Sequence, residues 1–465
     1  MHEFIDRGIR GGISIIGHPY SRANISNDGE NTYIFFCDIN NQYGWAMSQY
    51  LPQRDFSWDS SFGDLDLEIT REKILTLEEN DETGYFLEVD LEYPQELHNS
   101  HDEFPLCPEN ISISDDWLSE YQKVLKNRLG LKGKSKKLCL TLFDKSKYVL
   151  HYSNLKFCLQ NGMILRKVHK VLKFKQSQWL KSYIDLNTKL RQQATSKFEE
   201  NFAKLMNNSV YGKTCENTRK YTNLELVTNK SQLQKYINSP LCSSYKIYGE
   251  NFAAIQLKPK CVRLDKPRYV GFTVLELSKL LMYQFHYKFM IPKFGNENLR
   301  ILLSDTDSFC YEIRTENNIY ENMRHDSWFD FSNYPIDHPN FDKSNRHVPG
   351  KMKDEMGGKQ ILEFVGLRSK MYSLISENSS QNKKVAKGFL KSMRTNIDHG
   401  LYLRCIDEEN LNLSFTANTI RQQNHEMFLL QITKSGLCAY NDKKFVQKVS
   451  HRNFICHSFG NKKLE

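Results

Sequence analysis

The chain has 465 residues, of which 39% are hydrophobic and 12% aromatic, and its formal net charge is +9. This length and composition predict a folded protein of two to four subdomains and exclude a disordered chain. No apolar run approaches the roughly 18–20 residues of a membrane span, and the amino terminus lacks the apolar core of a signal peptide. The 11 cysteines form no CxxC pair, which argues against a zinc ribbon or disulfide framework and favours a reducing compartment.

Charge is unevenly distributed between two blocks of the sequence. Residues 55–103 hold 16 acidic and 2 basic side chains, whereas residues 120–204 hold 20 basic and 5 acidic ones. The basic block is interleaved with aromatic residues, which suits a polyanion such as nucleic acid, although a solvated lysine-rich surface fits it equally well. The acidic block indicates either an ordinary surface or a docking face for a basic partner.

The first strong element is the run NTYIFFCD, residues 31–38. Its aromatic and β-branched residues predict a buried strand that ends at Asp38. A turn and a short helix, stopped by Pro52, are expected to follow. Residues 53 to about 180 mix strands and short helices, and we interpret them as an insertion.

Helical composition returns at residues 185–208, where Ser196 and Glu199 form a capping box. The box predicts two helices that meet near Thr195. Beyond them the sequence predicts a buried helix at 270–290, a hairpin at 301–313, a strand pair in ILEFVGLRSKMYSLI (361–375), an exposed loop at 376–384 and a mixed, basic carboxy-terminal part.

Two carboxylates, Asp305 and Asp307, lie between the strands of the predicted hairpin. Strand side chains repeat every two residues, so both can leave the same face of a tight turn. Hard divalent ions such as Mg²⁺ take one or two carboxylates plus substrate phosphates. The spacing also occurs in sugar-nucleotide transferases and, by chance, in surface turns. Asp38 ends a second predicted buried strand, which favours a metal site in which carboxylates of two adjacent strands bind two ions.

The segment FAKLMNNSVYGKT, residues 202–214, places a cation, an amide and an aromatic ring in one row. On a helix, Lys204, Asn208 and Tyr211 fall at i, i+4 and i+7 and share a face. Such a row suits a nucleotide, with the lysine on the phosphates and the ring against the base pair, and Gly212 allows close approach. An ordinary amphipathic helix fits the pattern as well.

Four motifs, in this order, resemble those of family B DNA polymerases. CDINNQYGWAM (37–47) is similar to motif A (DxxSLYP type), KLMNNSVYGK (204–213) to motif B (KxxxNSxYG), LSDTDS (303–308) to motif C (YxDTDS), and RSKMY (368–372) to the KxY motif. The resemblance covers essentially the whole chain and points to the protein-primed branch of bacteriophage, adenovirus and linear-plasmid replicases and Maverick/Polinton-type polymerases. RGIRGGI, KLMNNSVYGKTCEN, EFVGLRSKMYSL and NTIRQQNH point to the last group.

The resemblance implies a role for each matching residue. Asp38 and Asp307 would hold two Mg²⁺ ions, for which Mn²⁺ can substitute, with Asp305 as a supporting carboxylate. The nucleotide-binding residues would be Tyr43, as the steric gate against a 2′-hydroxyl, together with Lys204, Asn208, Tyr211 and Arg191. IRGGI resembles the YxGG/A template-binding loop, with Ile9 in place of the tyrosine. DNA would be contacted by Arg10, Gly11 and Gly12 of this loop and by Lys370, Tyr372, Lys387 and Gly388.

The family implies an α+β right-hand polymerase fold of palm, fingers and thumb with two insertions. The expected boundaries are 1–31 for the template-binding loop and lead-in, 32–52 for the palm with motif A, 53–180 for an insertion resembling terminal-protein region 1, 181–212 for the fingers, 213–268 for a second insertion resembling terminal-protein region 2, 269–372 for the palm with motif C and KxY, and 373–465 for the thumb and carboxy-terminal region. The family's amino-terminal 3′–5′ exonuclease domain is missing from this sequence, so no proofreading is expected. In motif A, Asn41, Gln42 and Gly44 replace Ser, Leu and Pro, which we interpret as lineage variation.

The resemblance therefore implies a template-directed DNA polymerase acting on primer–template DNA and deoxynucleoside triphosphates. We expect an intracellular monomer, with the nucleus or a viral replication site as first candidates, and no membrane association. A terminal priming protein is a further candidate partner, and the acidic block could receive it. One alternative is a catalytically inactive DNA-binding remnant of a mobile element, which the missing exonuclease favours and the intact carboxylates disfavour. A sugar-nucleotide transferase would have no use for motif B or KxY.

Overall fold

The structure is a computed structural model and describes residues 1–25, 31–62, 66–131, 135–378, 382–389, 391–408, 411, 413–423 and 425–464. Residues 379–381 of the predicted 376–384 loop lie outside these ranges, as do residues 132–134 of the basic block and residue 424 of the NTIRQQNH segment. Within the described part of the chain, no helix is both long enough and apolar enough to cross a lipid bilayer.

The amino-terminal segment supplies the strand predicted at 31–38. Its elements are α1 (His2–Gly8), β1 (Ser14–Ile16), β2 (Tyr20–Arg22), β3 (Asn31–Ile39) and α2 (Gln42–Met47). Alternate residues of β3 enter two different apolar clusters, Phe35 and Cys37 in one and Ile34 and Phe36 in the other. Because both faces are buried, β3 reads as a continuous apolar run. The helix α2 ends at Met47, before Pro52, which lies in the next strand.

Residues 51–177 build a separate four-stranded antiparallel sheet with the strand order β4–β9–β5–β8. The elements are β4 (Leu51–Trp58), α3 (Leu67–Thr76), β5 (Thr83–Glu92), α4 (His98–His101), β6 (Glu109–Ile111), α5 (Glu120–Arg128), β7 (Lys137–Cys139), β8 (Lys145–His151), α6 (Tyr152–Gln160) and β9 (Ile164–Ser177). We call residues 53–180 the first insertion. The strands β6 and β7 pair only with each other.

Two antiparallel helices follow, α7 (Lys181–Gln193) and α8 (Lys197–Thr214). The predicted capping box is confirmed, because Ser196 accepts from the Glu199 backbone and the Glu199 side chain accepts from Ser196. A three-stranded sheet with one helix comes next, composed of β10 (Asn223–Val227), α9 (Lys230–Ile237), β11 (Cys242–Gly249) and β12 (Phe252–Leu257).

The predicted buried helix is α10 (Arg268–Gln284), which continues through a π-helical turn, Phe285–Met290, into α11 (Ile291–Phe294). The predicted hairpin is formed by β13 (Leu299–Asp305) and β14 (Ser308–Thr315). Next in the chain are α12 (Ile319–Asn322), β15 (Phe329–Asp330), β16 (Met352–Asp354), β17 (Ile361–Arg368), β18 (Met371–Ser376) and β19 (Lys383–Ala386). β19 shows that the predicted loop at 376–384 ends in a strand that pairs with β18.

A central sheet combines strands of the amino-terminal segment with strands that follow α11, and its main path has the order β1–β13–β14–β3–β17–β18–β19. The edge strand β1 pairs with β13, and β3 lies between β14 and β17. The remaining elements are α13 (His399–Asp407), a long hairpin of β20 (Ser414–Gln423) and β21 (Glu426–Ser435), and a short hairpin of β22 (Phe445–Ser450) and β23 (Asn453–His457).

Candidate active site

The three acidic residues singled out by the sequence converge at one end of the central sheet. Asp38 lies on β3 directly opposite Ser308 of β14, so the preceding residue Asp307 is its neighbour across the pair. The Ile39 backbone N–H donates to the Asp307 carbonyl oxygen at 2.7 Å. Asp305 ends β13, and Thr306 completes the turn with a left-handed backbone (φ +68°).

The carboxylates are crowded enough to resist ionisation. Burial, followed by the charges of Asp307 and Glu355, raises the pKa of Asp38 to about 8, although Lys383 and Lys204 oppose the shift. Burial and the charge of Asp305 also raise the pKa of Asp307. A cluster of acids that repel one another in a partly dry site is suited to a cation.

Lys370 forms an ion pair with Asp305. Its Nζ atom lies 2.6 Å from Asp305 Oδ1. Lys370 occupies the tight turn between β17 and β18 with φ +62°, and its carbonyl accepts from the Lys387 backbone N–H at 3.1 Å. The exposed Lys387 and Gly388 are therefore brought beside Lys370.

Gln42, which the sequence suggested was mere lineage variation, has a structural role. Its Nε2 group donates to the carbonyl oxygens of Ser278 on α10, at 3.2 Å, and of Thr306, at 3.1 Å. The side chain is 4% exposed. Motif A is thereby tied to the turn that carries Asp305 and Asp307. Asn41 has a left-handed backbone (φ 44°), which asparagine tolerates better than most residues.

The glycine loop packs on the same turn. A Cβ atom on Gly12 would lie 2.5 Å from Thr306 Cγ2, so this close approach requires glycine, whereas Gly11 faces open space. Arg10 departs from the prediction. Its guanidinium lies over the Tyr148 ring and donates to the Val149 carbonyl at 2.9 Å. The side chain is buried against the first insertion.

Two of the predicted nucleotide-binding residues, Tyr43 on α2 and Tyr211 on α8, contact each other. The rings of Tyr43 and Tyr211 stack with centroids 4.2 Å apart and planes inclined by 24°. Burial and the charge of Asp307 raise the pKa of Tyr43, which places its hydroxyl within electrostatic reach of that carboxylate. The positive charge of Lys204 opposes the rise in the pKa of both Asp38 and Asp307. The side chains of Lys204 and Asn208 are exposed.

Two predicted site residues are placed differently from the expectation. Arg191 forms an ion pair with Glu200 at 3.1 Å, so binding a triphosphate would require it to leave this partner. Tyr372 does not face outward beside Lys370, because Lys370 lies in the turn and the strand begins only at Met371. Its ring is buried between Phe36 and Phe364, and the charge of Asp305 adds to burial in raising its pKa.

No pattern in the sequence pointed to Glu355 or Lys383. Glu355 is the residue after β16, a strand that pairs with β3 beside Asp38, and Lys383 begins β19. The two form an ion pair at 3.0 Å. The charge of Glu355 raises the pKa of Asp38, and the charge of Lys383 lowers it. Only the folded sheet brings them to the site, since both lie far from motif A along the chain.

The residues present fit divalent ions on the chemistry of their donors. Asp38 on β3 and Asp307 in the turn before β14 offer hard oxygen ligands, and burial, with the charges of neighbouring carboxylates, raises the pKa of both. In the described ranges, no three His, Cys, Asp or Glu side chains form a ready-made metal cluster. Mg²⁺ typically completes its octahedron with waters and substrate phosphates, so two carboxylates suffice.

Comparison with known proteins decides the family. The sequence model of the type B DNA polymerases of organelles and viruses matches residues 1–289, which is more than half of the chain. The chain belongs to this family. The match spans motifs A and B, whereas motif C and the KxY turn lie beyond it. No curated protein matches the sequence.

Solved structures show that this member of the family has the right-hand fold. Phi29 DNA polymerase in a ternary complex with primer–template DNA and incoming nucleotide is 15% identical, with a TM-score of 0.52. Its orthorhombic crystal form is also 15% identical, with a TM-score of 0.51. Both alignments cover 93% of this chain and 62% of the Phi29 chain. The expected α+β fold is thus confirmed, and the chain spans about three fifths of the polymerase that it matches.

Proposed function

We propose that the chain is a template-directed DNA polymerase that joins deoxynucleotides to the 3′-hydroxyl of a primer. The observation that carries this proposal is the meeting of Asp38 and Asp307 across two paired strands, within electrostatic reach of Tyr43 and Lys204. Membership of the type B polymerase family supports it.

Asp38 and Asp307 would hold two divalent ions, Mg²⁺ or Mn²⁺, which when bound activate the attacking hydroxyl and neutralise the leaving pyrophosphate. The protein's own groups orient the substrates. Lys204 and Asn208, exposed on one face of α8, grip the triphosphate. Tyr43, held by its stack on Tyr211, lies under the sugar and excludes a 2′-hydroxyl.

The growing strand is held by the KxY turn. Lys370 neutralises Asp305 and presents its ammonium group at the turn, and the exposed Lys387 and Gly388 follow it beside the primer backbone. The template strand lies against the glycine loop, where Gly11 leaves open space. Positioning of this kind converts a bimolecular reaction into an effectively unimolecular one.

Protein priming and the absence of proofreading are the finer parts of the proposal. The first insertion would dock a basic terminal protein through its acidic block at 55–103, where acids outnumber basic residues by 16 to 2. Replacing four exposed acids of the block with Ser should abolish protein-primed initiation and leave primer extension intact. A purified chain should also leave a mismatched primer end uncut; release of the mismatched nucleotide would refute this part.

The test of the main proposal is extension of a labelled, primed template with Mg²⁺ by the wild type and by Asp307→Asn. The wild type should extend the primer, and the variant should lose at least about 10³-fold in rate, the scale of an essential catalytic group. Equal extension by both would remove the proposed active site. Wild-type protein that binds the template without extending it would instead support the inactive remnant.

A further inference from the structure

The outward-facing carbonyl groups of the edge strand β1 accept hydrogen bonds from side chains of distant segments. The Ser14 carbonyl oxygen accepts from Lys443 Nζ and from Ser369 Oγ, each at 2.7 Å. The Ile16 carbonyl oxygen accepts from Asn441 Nδ2 at 2.9 Å. Both carbonyl groups point away from β13. These side chains therefore supply hydrogen-bond donors to the outer edge of the strand, where β13 cannot.

This edge lies directly beside the active site. Ser14 is the register partner of Asp305, and the Thr306 backbone N–H donates to the Ile13 carbonyl oxygen at 2.6 Å. The position of β1 therefore sets the position of the turn that carries Asp305 and Asp307. Since Asp305 in turn holds Lys370, the same strand fixes the KxY turn.

The segment 441–446, which caps the edge, is itself held by the first insertion. Gln122 on α5 donates through Nε2 to the carbonyl oxygens of Asn441, at 2.6 Å, and Lys444, at 2.8 Å. Its Oε1 atom accepts from the Val446 backbone N–H at 3.2 Å. Gln122 is 1% exposed, so all three bonds are shielded from water. Buried side-chain networks of this kind fix a single geometry.

An ion pair and a hydrogen bond from a buried lysine also hold segment 441–446 against the first insertion. Lys137 Nζ lies 2.5 Å from Asp442 Oδ2, and Lys444 Nζ donates to the Asp102 carbonyl oxygen at 3.0 Å. Lys137 and Asp102 both belong to the first insertion. Four consecutive residues, 441–444, thus connect the insertion on one side with the catalytic edge of the central sheet on the other.

We propose that Asn441 and Lys443 are positioning residues of the polymerase active site, and that the first insertion sets their placement through Gln122. This rests on the proposed polymerase function. They act through β1 on the turn at 305–307 and touch neither primer nor nucleotide. Occupation or distortion of the first insertion is thereby transmitted to the catalytic carboxylates.

The expected consequence is a loss of turnover without a loss of binding. Lys443→Met removes the ammonium group from the Ser14 carbonyl, which keeps Ser369 Oγ as a donor, and so loosens the strand edge beside Asp305. A misplacement of about 1 Å at a reacting centre costs on the order of 10²-fold, so kcat should fall about 10–100-fold. Because the DNA and nucleotide contacts remain, the Kd for primer–template and the KM for deoxynucleotide should stay within about twofold.

The experiment is single-turnover primer extension with purified full chains, alongside DNA-binding titrations and thermal unfolding. Lys443→Arg, which retains donors to the carbonyl, should recover most of the lost rate. Lys448→Met is the matched control: Lys448 also caps backbone carbonyls, those of Ile406 at 2.8 Å and Asp407 at 3.3 Å, but on α13. It should leave kcat unchanged. Gln122→Met, remote from the substrates, should lower kcat in the same direction as Lys443→Met.

The outcomes separate this inference from the proposed function. An inactive wild type refutes the proposed function, whereas an active wild type with normal kcat in Lys443→Met refutes only the positioning role. A raised Kd for DNA at normal kcat would make Lys443 a DNA contact and overturn the inference. A lowered Tm at normal kcat would make it purely structural. If Lys443→Met does not fold, Asn441→Leu removes the donor to the Ile16 carbonyl and must reduce kcat in its place.

Discussion

Replacing Gln42 with methionine tests whether motif A holds the catalytic turn in place. Methionine has nearly the same length and volume but cannot donate to the carbonyl oxygens of Ser278 and Thr306, which Gln42 contacts at 3.2 and 3.1 Å. Each buried acceptor left without a donor costs about 1–3 kcal/mol. The Ser278 carbonyl keeps the N–H donor of its own helix α10, so only the Thr306 carbonyl is left without a donor, and the free energy of unfolding should fall by about 1–3 kcal/mol. The loosened turn at 305–307 should reduce kcat by about 10–100-fold.

The assay pairs urea unfolding with primer extension, with rates normalised to the folded fraction. Gln49→Met is the matched control, because Gln49 lies just beyond the same helix and donates to the Trp45 carbonyl at 2.9 Å without contacting the catalytic turn. The control should lose about 1 kcal/mol or less and no turnover. Wild-type turnover in Gln42→Met, or an equal loss in both variants, would refute the reasoning.

Three further predictions follow from the site and its surroundings. Lys370→Met removes the cation 2.6 Å from Asp305 and should lower kcat about 10–100-fold, which corresponds to one charge-assisted hydrogen bond. Rapid-quench primer extension measures this rate, and an unchanged rate would exclude a role of Lys370 in turnover. Tyr43→Ala should raise ribonucleotide over deoxynucleotide incorporation by at least about tenfold, which needs only about 1.4 kcal/mol, while Tyr43→Phe keeps the discrimination. Burial lowers the pKa of His18, but Glu103 at 2.9 Å outweighs it and raises the pKa to about 10. The stability that this pair contributes is complete below about pH 6.5 and is lost as the pH rises toward 10, so His18→Gln should flatten the fall in unfolding free energy over that window.

The elements whose signal is local could be predicted from the sequence. β3, the hairpin of β13 and β14, and the buried helix α10 were all expected, because a continuous apolar run or a helical period appears in the chain itself. The capping box at Ser196 was equally legible, since its two partners are three residues apart. The three carboxylates were found because they lie at or just beyond the ends of recognisable strands.

Contacts between distant segments left no such signal. Gln42 was taken for a neutral replacement because its two acceptors lie more than 200 residues away along the chain. Arg10 was expected at the DNA, yet its partners Tyr148 and Val149 belong to the first insertion and bury it. Tyr372 was expected at the DNA together with Lys370, but Lys370 lies in a tight turn before the strand and the Tyr372 ring is buried against Phe36 and Phe364. The assignment to a Maverick/Polinton-type lineage stays a prediction.

The central claim is that Asp38 and Asp307 jointly hold divalent ions at the primer end. Its most direct test is a Mn²⁺ titration, followed by electron paramagnetic resonance, of the wild type, Asp38→Asn and Asp307→Asn in complex with primer–template and a non-hydrolysable deoxynucleotide. Loss of bound Mn²⁺ in both variants, with each folded as the wild type, is the expected result. Full Mn²⁺ stoichiometry in either variant would contradict the shared site.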